Sequence, residues 1–372
     1  MARKIKESPV LSVLLCALPA VLAGIIMALS RIDANVTERV YSRTIFPVVS
    51  SAIGLVASIF PFSVIGIVIW CAVPVVLLWI VHIVRRLRKS GDRRSMWLSA
   101  LRTVIFVPSL IFFIFAVTCA PNFSRLTFAE QSGLPVRDST SDELAELCRA
   151  LAGKTAAARE EITEADGIFS AGEFDTLSQD ALAAFSALRE DYPFFQRVYV
   201  APKAIPGSEI LSYIETTGFY SCFTSEPNVN THMPDLELPF TMCHELAHTS
   251  GFMREDEANF IGYLACKKSD NPALRYSGLI CALNYSMNRL YSVDRDSYNE
   301  IRGTYTDGML RDLAQLNAYW QPYFKTASAK TYSTVNNAFL KLNNQSDGRQ
   351  SYGRMVDLLL AEYRAEAAAE SE

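Results

Sequence analysis

Residues 244–248 read His244-Glu245-Leu246-Ala247-His248, and this stretch decides how the rest of the sequence is interpreted. On an α-helix, side chains four residues apart lie on one face, so both imidazoles can bind one metal ion. Glu245 lies beside them and can accept a proton from a metal-bound water. The chain has only four histidines, and two of them stand at this spacing. The stretch therefore predicts a helix that carries a catalytic metal site.

The composition divides the chain into two regions. Apolar residues make up 50% of the sequence and are concentrated in its first third. Residues 1–120 hold 13 Lys and Arg against 4 Asp and Glu, a net charge of +9, whereas residues 121–372 hold 22 against 35, a net charge of −13. This asymmetry predicts a membrane region followed by a water-soluble domain. Because phosphate contacts need clustered Lys and Arg, the acidic domain is not expected to bind nucleic acid.

Three apolar stretches are long enough to cross a bilayer, which requires about 20 residues. They run over about 9–30, 61–84 and 101–120. A cleaved signal peptide is the alternative for the first stretch, but its apolar run is longer than a usual signal core, which favours a retained helix. The shorter apolar piece at 45–59 is either interfacial or packed against the other helices. The lipid bilayer is thus the first expected partner.

Positive charge predicts the orientation of the membrane region. Six Lys and Arg residues lie in the predicted loop 85–100, and three more precede the first stretch. The positive-inside rule places both in the cytoplasm. Three crossings then put residues 121–372 outside it, and a fourth crossing through 45–59 would reverse that side. If the domain lies outside, its five cysteines, from Cys148 to Cys281, can include one or two disulfides.

The soluble domain reads as mainly α-helical with a small sheet. The predicted strands are Arg197–Val200 and Phe219–Thr224. The predicted helices are 141–165, 176–191, 239–250, 255–268, 272–292, 306–322, 330–343 and 351–368. A strand just before the metal-binding helix can pair with an extended peptide substrate, and Phe219, Asn228 and Asn230 are the candidate contacts. A plain structural hairpin is the equally weighted alternative.

A catalytic zinc site needs a third protein ligand. A third histidine six residues after the second would stand at position 254, which is Arg254, so that arrangement fails. The candidates are Glu255, which we favour, and Glu257. Glu255 shares a helix face with Asn259 and Gly262, and this small face can approach the metal-binding helix closely. Asn259 is then placed to hydrogen-bond a histidine from outside the metal shell.

The chemistry that follows is zinc-dependent peptide hydrolysis. Zn²⁺ bound by both histidines and Glu255 would lower the pKa of its water toward ~7, and Glu245 would accept the proton during attack on a peptide carbonyl. A second donor to the developing oxyanion is usual. The candidates for this donor are Tyr276, Tyr285, Tyr352 and Arg354, of which Tyr285 and Tyr352 are preferred.

Several stretches resemble an uncharacterised family of bacterial membrane proteins, a domain of unknown function. They are FTMCHELAH at 240–248, REDEANF at 254–260, FPFS at 60–63, EPNVN at 226–230 and SYGRMVDLL at 351–359. This resemblance covers most of the chain, including the membrane part. It implies a multi-pass protein of the bacterial cell membrane with an extracytoplasmic domain.

A more distant resemblance concerns the chemistry. Residues 255–259 are similar to the E-x-x-x-D element of glutamate-ligand zinc peptidases, such as the Ste24-like membrane proteases and thermolysin. The first glutamate of that element is a zinc ligand, which implies this role for Glu255 and a zincin-like fold for the domain. The sequence departs from the element at Asn259, where those enzymes have Asp, and has only six residues between His248 and Glu255.

Two other functions fit the same residues. One is a catalytically inactive zinc-binding domain on a membrane anchor, which senses or binds a protein partner. The other is a membrane scaffold or transporter with an accidental motif. The near absence of charge within the apolar stretches argues against transport.

Overall fold

The computed structural model describes residues 9–89, 93–162, 169–324, 326–343 and 354–371. The chain is mostly helical, with an apolar helical region at the N-terminus and one three-stranded sheet. The predicted fold class is therefore confirmed at this level. The zincin-like part of that prediction depends on the geometry of the site residues.

The N-terminal region contains long apolar helices. The first predicted stretch forms two helices, α1 and α2, which are separated at Ala17. Three helices are long and apolar enough to cross a membrane: Ala34–Ser58, Val64–Arg88 and Arg93–Thr118. The predicted loop at 85–100 contains helix, which continues through Lys89 and begins again at Arg93. The helices of this region are α1 (Pro9–Cys16), α2 (Leu18–Ser30), α3 (Ala34–Val36), α4 (Phe46–Ser58), α5 (Val64–Lys89) and α6 (Arg93–Thr118).

Residues Ala34–Ser58 form one continuous helix, which we call the cradle helix. It consists of α3, a π-helical segment at Thr37–Ile45, and α4. The side chain of Asp33 starts it by accepting hydrogen bonds from the backbone N–H groups of residues 35 and 36. The sequence predicted only its second half, because the polar residues of the π-helical segment interrupt the apolar run.

The domain after α6 is built from helices close to the predicted ones. Helix α8 begins with the predicted capping box, in which Thr140 and Glu143 each bond the other's backbone N–H. The sequence missed three short helices, α7, α10 and α14, which have too few turns for a periodic pattern. The domain helices are α7 (Phe128–Ser132), α8 (Ser141–Glu160), α9 (Phe174–Asp191), α10 (Glu209–Ser212), α11 (Leu238–Thr249), α12 (Glu255–Lys268), α13 (Pro272–Val293), α14 (Arg295–Arg302), α15 (Asp307–Trp320), α16 (Ala327–Leu342) and α17 (Met355–Ser371); a 3₁₀ turn (Ala120–Ser124) precedes α7.

The sheet has the strand order β1-β3-β2. Strand β1 (Lys203–Ala204) is parallel to β3 (Glu226–Val229), and β2 (Gly218–Ser221) is antiparallel to β3. The predicted strand at 197–200 is wrong, since the first strand forms a few residues later, where it meets β3. Among the described residues, strand β2 has a strand partner on one side only, so one of its edges carries backbone groups that the sheet does not use.

Helix α11 lies at the centre of the domain. Its apolar side chains Met242 and Leu246 are fully buried, and it contacts α12, α13, β2 and β3. The helix is apolar on nearly all sides, as expected for a core helix rather than a surface one. Every change in its position would therefore be opposed by packing on several sides.

A buried polar cluster joins the sheet to the start of α5. The carboxylate of Glu226 accepts hydrogen bonds from the backbone N–H groups of Val64 and Ile65, both at 2.9 Å, and so caps α5. The same carboxylate pairs with Lys203 at 2.8 Å, and both side chains are buried. The hydroxyl of Ser63 donates to Asn228 at 2.6 Å. This cluster fixes the central strand of the sheet against the first turn of an apolar helix.

Candidate metal centre and cleft

The structure brings His244, His248 and Glu255 together at one point. The two Nε2 atoms of the histidines are 3.1 Å apart, and the Oε2 atom of Glu255 lies 3.4 Å from His244 Nε2 and 3.7 Å from His248 Nε2. Ligands held ~2.0–2.1 Å from a tetrahedral zinc ion are about 3.3 Å from one another. The three atoms therefore have the spacing and the chemistry of a zinc site with three protein ligands.

Two glycines allow this convergence. Gly251, just after α11, has a φ of +93°, a conformation that residues with a side chain rarely adopt, and it turns the chain back toward α12. Gly262 lies where α12 crosses α11: a Cβ there would be 3.1 Å from the backbone N of His244. The close crossing brings Glu255, at the first turn of α12, beside the histidines.

The imidazole of His248 is oriented by the backbone. Its Nδ1 atom donates a hydrogen bond to the carbonyl oxygen of Phe252 at 2.7 Å. The proton is therefore on Nδ1, and the lone pair of Nε2 points to the centre of the three ligands in the neutral ring. His244 Nδ1 is buried and has no hydrogen bond within the described part of the chain, but the Asn259 side chain interacts with this ring and favours its protonated form.

Burial and mutual charge shift the pKa values of the three groups. Burial lowers the pKa of His244 and outweighs the opposing effect of Glu255. In His248, burial also acts to lower the pKa, but the hydrogen bond and the charge of Glu255 prevail and raise it to about 9. Burial would raise the pKa of Glu255, yet hydrogen bonds with the two histidines hold it well below its usual value. Glu255 is thus an ionised carboxylate, the form that binds a cation.

Glu245 lines the same cleft and lies next to the edge strand. Its side chain is buried, and its Oε2 atom has no hydrogen-bond partner among the described residues. Burial raises the pKa of this carboxyl to about 8. Its Oε1 atom lies so close to Gly218 that a Cβ on that residue would be 2.7 Å away. This carboxylate therefore lines the same cleft as His244, His248 and Glu255, and it lies against the first residue of β2.

These groups line a cleft of about 380 Å³. Residues 218–220 of β2 form one wall, and Tyr285 of α13 lines the cleft as well. Phe115, Cys119 and Phe123 contribute a wall from the end of α6 and the turn that follows. Phe339 of α16 packs against the rings of Phe115 and Phe123, with ring centroids 5.9 Å apart in both pairs. These walls were not predictable from the sequence, because Phe115 reads as a lipid-facing residue and α16 is distant along the chain.

The alternative third ligand, Glu257, lies elsewhere. Its Oε1 atom accepts hydrogen bonds from the backbone N–H of Phe128 at 2.8 Å and from Arg254 at 3.1 Å. The first of these bonds holds α7 against the start of α12, and the second lies within the first turn of α12. Arg254 itself also donates to the backbone carbonyl of Arg125 at 2.6 Å. Glu257 and Arg254 therefore stabilise the fold outside the three-ligand centre.

Of the three predicted substrate contacts, one lines the cleft and two do not. Phe219 lies on the edge strand and lines the cleft. Asn228 was wrong as an edge contact, because it belongs to the central strand β3 and is fully buried against Ser63. Asn230 was also wrong: it is fully buried, and its side chain donates to Ser212 and to the carbonyl of residue 216. Both errors have one cause, which is that β3 is the central strand of the sheet and not an edge strand.

The candidate oxyanion donors that the structure describes lie in different places. Tyr285 lines the cleft, and its hydroxyl accepts a hydrogen bond of 3.4 Å from Asn259. Tyr276 is wrong as a site residue, since it is fully buried in the core and donates to Asp312 at 2.7 Å. Arg354 donates to Asp256 at 3.1 Å. Tyr352 lies outside the described residues.

The eight cysteines are free thiols, so the structure holds no disulfide. The expectation of one or two disulfides among the last five is therefore not met. Cys148, Cys222, Cys243 and Cys266 are buried, which suits small apolar side chains in a core.

The family profile described as "Protein of unknown function (DUF3810)" matches residues 41–360. The chain therefore belongs to the DUF3810 family, in agreement with the predicted resemblance to an uncharacterised family. No curated protein and no solved structure matches the chain. The family match includes the cradle helix from Tyr41 onward, the residues His244, His248 and Glu255, and most of the helices around the cleft.

Proposed function

We propose that this protein is a membrane-anchored, zinc-dependent peptidase. The observation that carries the proposal is the convergence of His244, His248 and Glu255, whose ligand atoms all lie within 4.8 Å of one another. Two imidazole nitrogens, each neutral when it binds the metal ion, and one carboxylate oxygen are the donor set of catalytic zinc sites, which leave a fourth position open. The helix with H-E-x-x-H and the glutamate from the next helix support a zincin-like arrangement.

Bound zinc would supply a Lewis acid and would lower the pKa of a water molecule in the open position. Glu245 is the group placed to accept a proton from the attacking water and to pass it to the leaving amine. Its buried carboxyl, with a pKa raised to about 8, is a stronger base than an exposed glutamate once it is ionised. Tyr285 is the described tyrosine placed to donate to the oxyanion.

The edge strand supports a polypeptide substrate. An extended peptide that pairs with the free edge of β2 would pass Gly218, and its backbone would lie next to Glu245. The short β2 offers only a few backbone groups, so side-chain pockets in the cleft are expected to supply much of the affinity. Phe219 and Phe240 are apolar residues that line the cleft.

The membrane part supports an anchored enzyme. The three long apolar helices indicate association with a membrane. The positive charge before α1, and at the end of α5 and the start of α6, supports a cytoplasmic N-terminus and an extracytoplasmic domain in a bacterial cell membrane. The substrate would then be an extracytoplasmic peptide or protein.

The full-length chain, purified in detergent with zinc, tests the proposal. We expect about one zinc per chain and cleavage of peptides from a random library. Glu245→Gln should retain zinc and lose cleavage, whereas Glu146→Gln, on the exposed face of α8, should retain both. If the parent chain binds zinc but cleaves no peptide, the result would instead support the inactive zinc-binding domain. The absence of zinc from the parent chain would overturn both functions.

A further inference from the structure

The cradle helix is long and apolar enough to cross a membrane, but both of its ends contact the same domain. Near its start, the Glu38 carboxylate accepts hydrogen bonds from Arg125 at 2.8 and 2.9 Å, and both side chains are buried. At its end, the carbonyl oxygen of Ala57 accepts a hydrogen bond of 2.7 Å from Lys203. Arg125 and Lys203 both lie after α6, so the two ends of the helix are on one side of the membrane region.

The middle of the cradle helix packs against the same domain. The ring of Phe46 lies against Gly251, where an added Cβ would be 2.8 Å from it. Ser50 accepts a hydrogen bond of 3.4 Å from Gln196. At Gly54, a Cβ would be 3.3 Å from Val200. The buried side chains recur every three or four residues, so one face of the helix follows the domain over most of its length.

The opposite face of the cradle helix is apolar and exposed. Val48, Leu55 and Val56 are 69%, 49% and 61% exposed. An apolar stripe of this size on a surface helix needs a partner. Lipid is the expected partner, because the cradle helix is connected at both ends to apolar helices of the membrane region. At one end, Thr37 donates to the last residue of α2, and at the other, the chain turns into α5, whose outward residues are apolar and exposed.

We propose that the cradle helix does not cross the membrane but lies along its surface, with the apolar stripe in the boundary between headgroups and acyl chains. A 25-residue helix is ~37 Å long, so it would seat the domain on the bilayer over a wide base. The chain then crosses three times, through α1 with α2, α5 and α6. The cleft, one wall of which is the last turn of α6, would open at the bilayer surface. This topology holds whether or not the protein is a peptidase.

Labelling of single introduced cysteines in intact membranes tests the topology. Ile32→Cys and Ile59→Cys stand beyond the two ends of the cradle helix at positions that are 77% and 74% exposed. Val136→Cys marks the domain, Arg94→Cys marks the opposite end of α6, and the parent chain gives the background from its own thiols. With a membrane-impermeant maleimide, we expect Ile32→Cys, Ile59→Cys and Val136→Cys to react from one face and Arg94→Cys from the other. Reaction of Ile32→Cys and Ile59→Cys from opposite faces would overturn the proposal.

The depth of the cradle helix in the bilayer is a second measurement. It tests the proposal even if the two end positions are shielded from the maleimide. Spin labels at Val48 and Val56, in the full chain in lipid vesicles, should both lie within about 5–10 Å of the bilayer boundary. A label at Val75, in the middle of α5 and 62% exposed, should lie near the midplane, ~15 Å deep. The proposal fails if Val48, near the middle of the cradle helix, is as deep as Val75.

Discussion

The Oε1 atom of Glu245 lies directly against Gly218, the first residue of the edge strand, so that a Cβ on this glycine would be 2.7 Å from it. The same Cβ would be 2.8 Å from the backbone carbonyl of Asn228. Contacts this short cannot be relieved by one flexible side chain, because one of the two partners is backbone. The first residue of β2 and the proposed general base, Glu245, are therefore tightly packed against each other.

Substitution Gly218→Ala should displace Glu245 and shift the edge strand. We expect peptide hydrolysis to fall by at least about 10-fold, with the zinc content unchanged, since the three ligands lie on α11 and α12. Gly153→Ala is the matched control: apart from the backbone of its own helix, no atom of the described residues lies within 4 Å of its added Cβ, and it stands on the exposed face of α8. Equal activity of the two variants would show that Glu245 does not depend on this contact.

Glu255→Gln and Glu257→Gln should differ in zinc binding. Loss of the Glu255 carboxylate removes a ligand, so the affinity should fall by more than the roughly 10–100-fold that loss of an outer-shell partner costs. Glu257→Gln should retain zinc but lower the free energy of unfolding by about 1–3 kcal/mol, because it weakens a buried hydrogen-bonded pair with Arg254. Competition with a fluorescent chelator and thermal unfolding measure the two quantities. Retention of zinc by the Glu255 variant would identify another third ligand.

Lys203→Met should be strongly destabilising. It leaves the buried Glu226 carboxylate without its cationic partner, at an expected cost of about 3–5 kcal/mol in the free energy of unfolding. The matched control is Lys154→Met, which removes an exposed pair with Glu366 and should cost less than about 1 kcal/mol. Thermal unfolding of the full chain in detergent provides the comparison. Similar melting temperatures for the two variants would contradict the role of Lys203 in joining the sheet to α5.

Glu237→Gln should change how stability depends on pH. Burial raises the pKa of this carboxyl from 4.5 to about 7, against the opposing effect of a hydrogen bond from Trp320. Between these values the folded chain keeps a proton that the unfolded chain has released, so this group makes the fold less stable as pH rises through that range. Because the side chain is partly exposed, we expect Glu237→Gln to be more stable than the parent by about 1–3 kcal/mol at pH 8 and nearly equal at pH 5. A constant difference across this range would contradict the shift.

Local sequence signals predicted the helices that carry the site. Helix 255–268 was predicted with its observed bounds, since three acidic residues mark its first turn and two lysines its last. The helix at 239–250 was one residue off at each end. The close crossing that brings Glu255 to the histidines was foreseen from the small residue Gly262, which is a property of one helix face.

Relationships between distant segments were not predictable in this way. The order β1-β3-β2 depends on a crossover that puts β3 in the centre, and this removes Asn228 and Asn230 from the edge. The packing of the cradle helix on the domain depends on pairs such as Glu38 with Arg125, which are 87 residues apart. Tyr276 and Tyr285 lie on the same helix with similar sequence surroundings, and only the tertiary structure places one in the core and the other in the cleft.

X-ray absorption at the zinc edge, on the full chain loaded with one equivalent of zinc, tests the central claim most directly. The account predicts only nitrogen and oxygen neighbours at ~2.0–2.2 Å, with the outer-shell scattering of two imidazoles. His248→Ala should lose one imidazole or the metal, and His232→Ala, which replaces a histidine outside the three-ligand centre, should leave the spectrum unchanged. A sulfur neighbour at ~2.3 Å, or a spectrum without imidazole scattering, would contradict the proposed zinc centre.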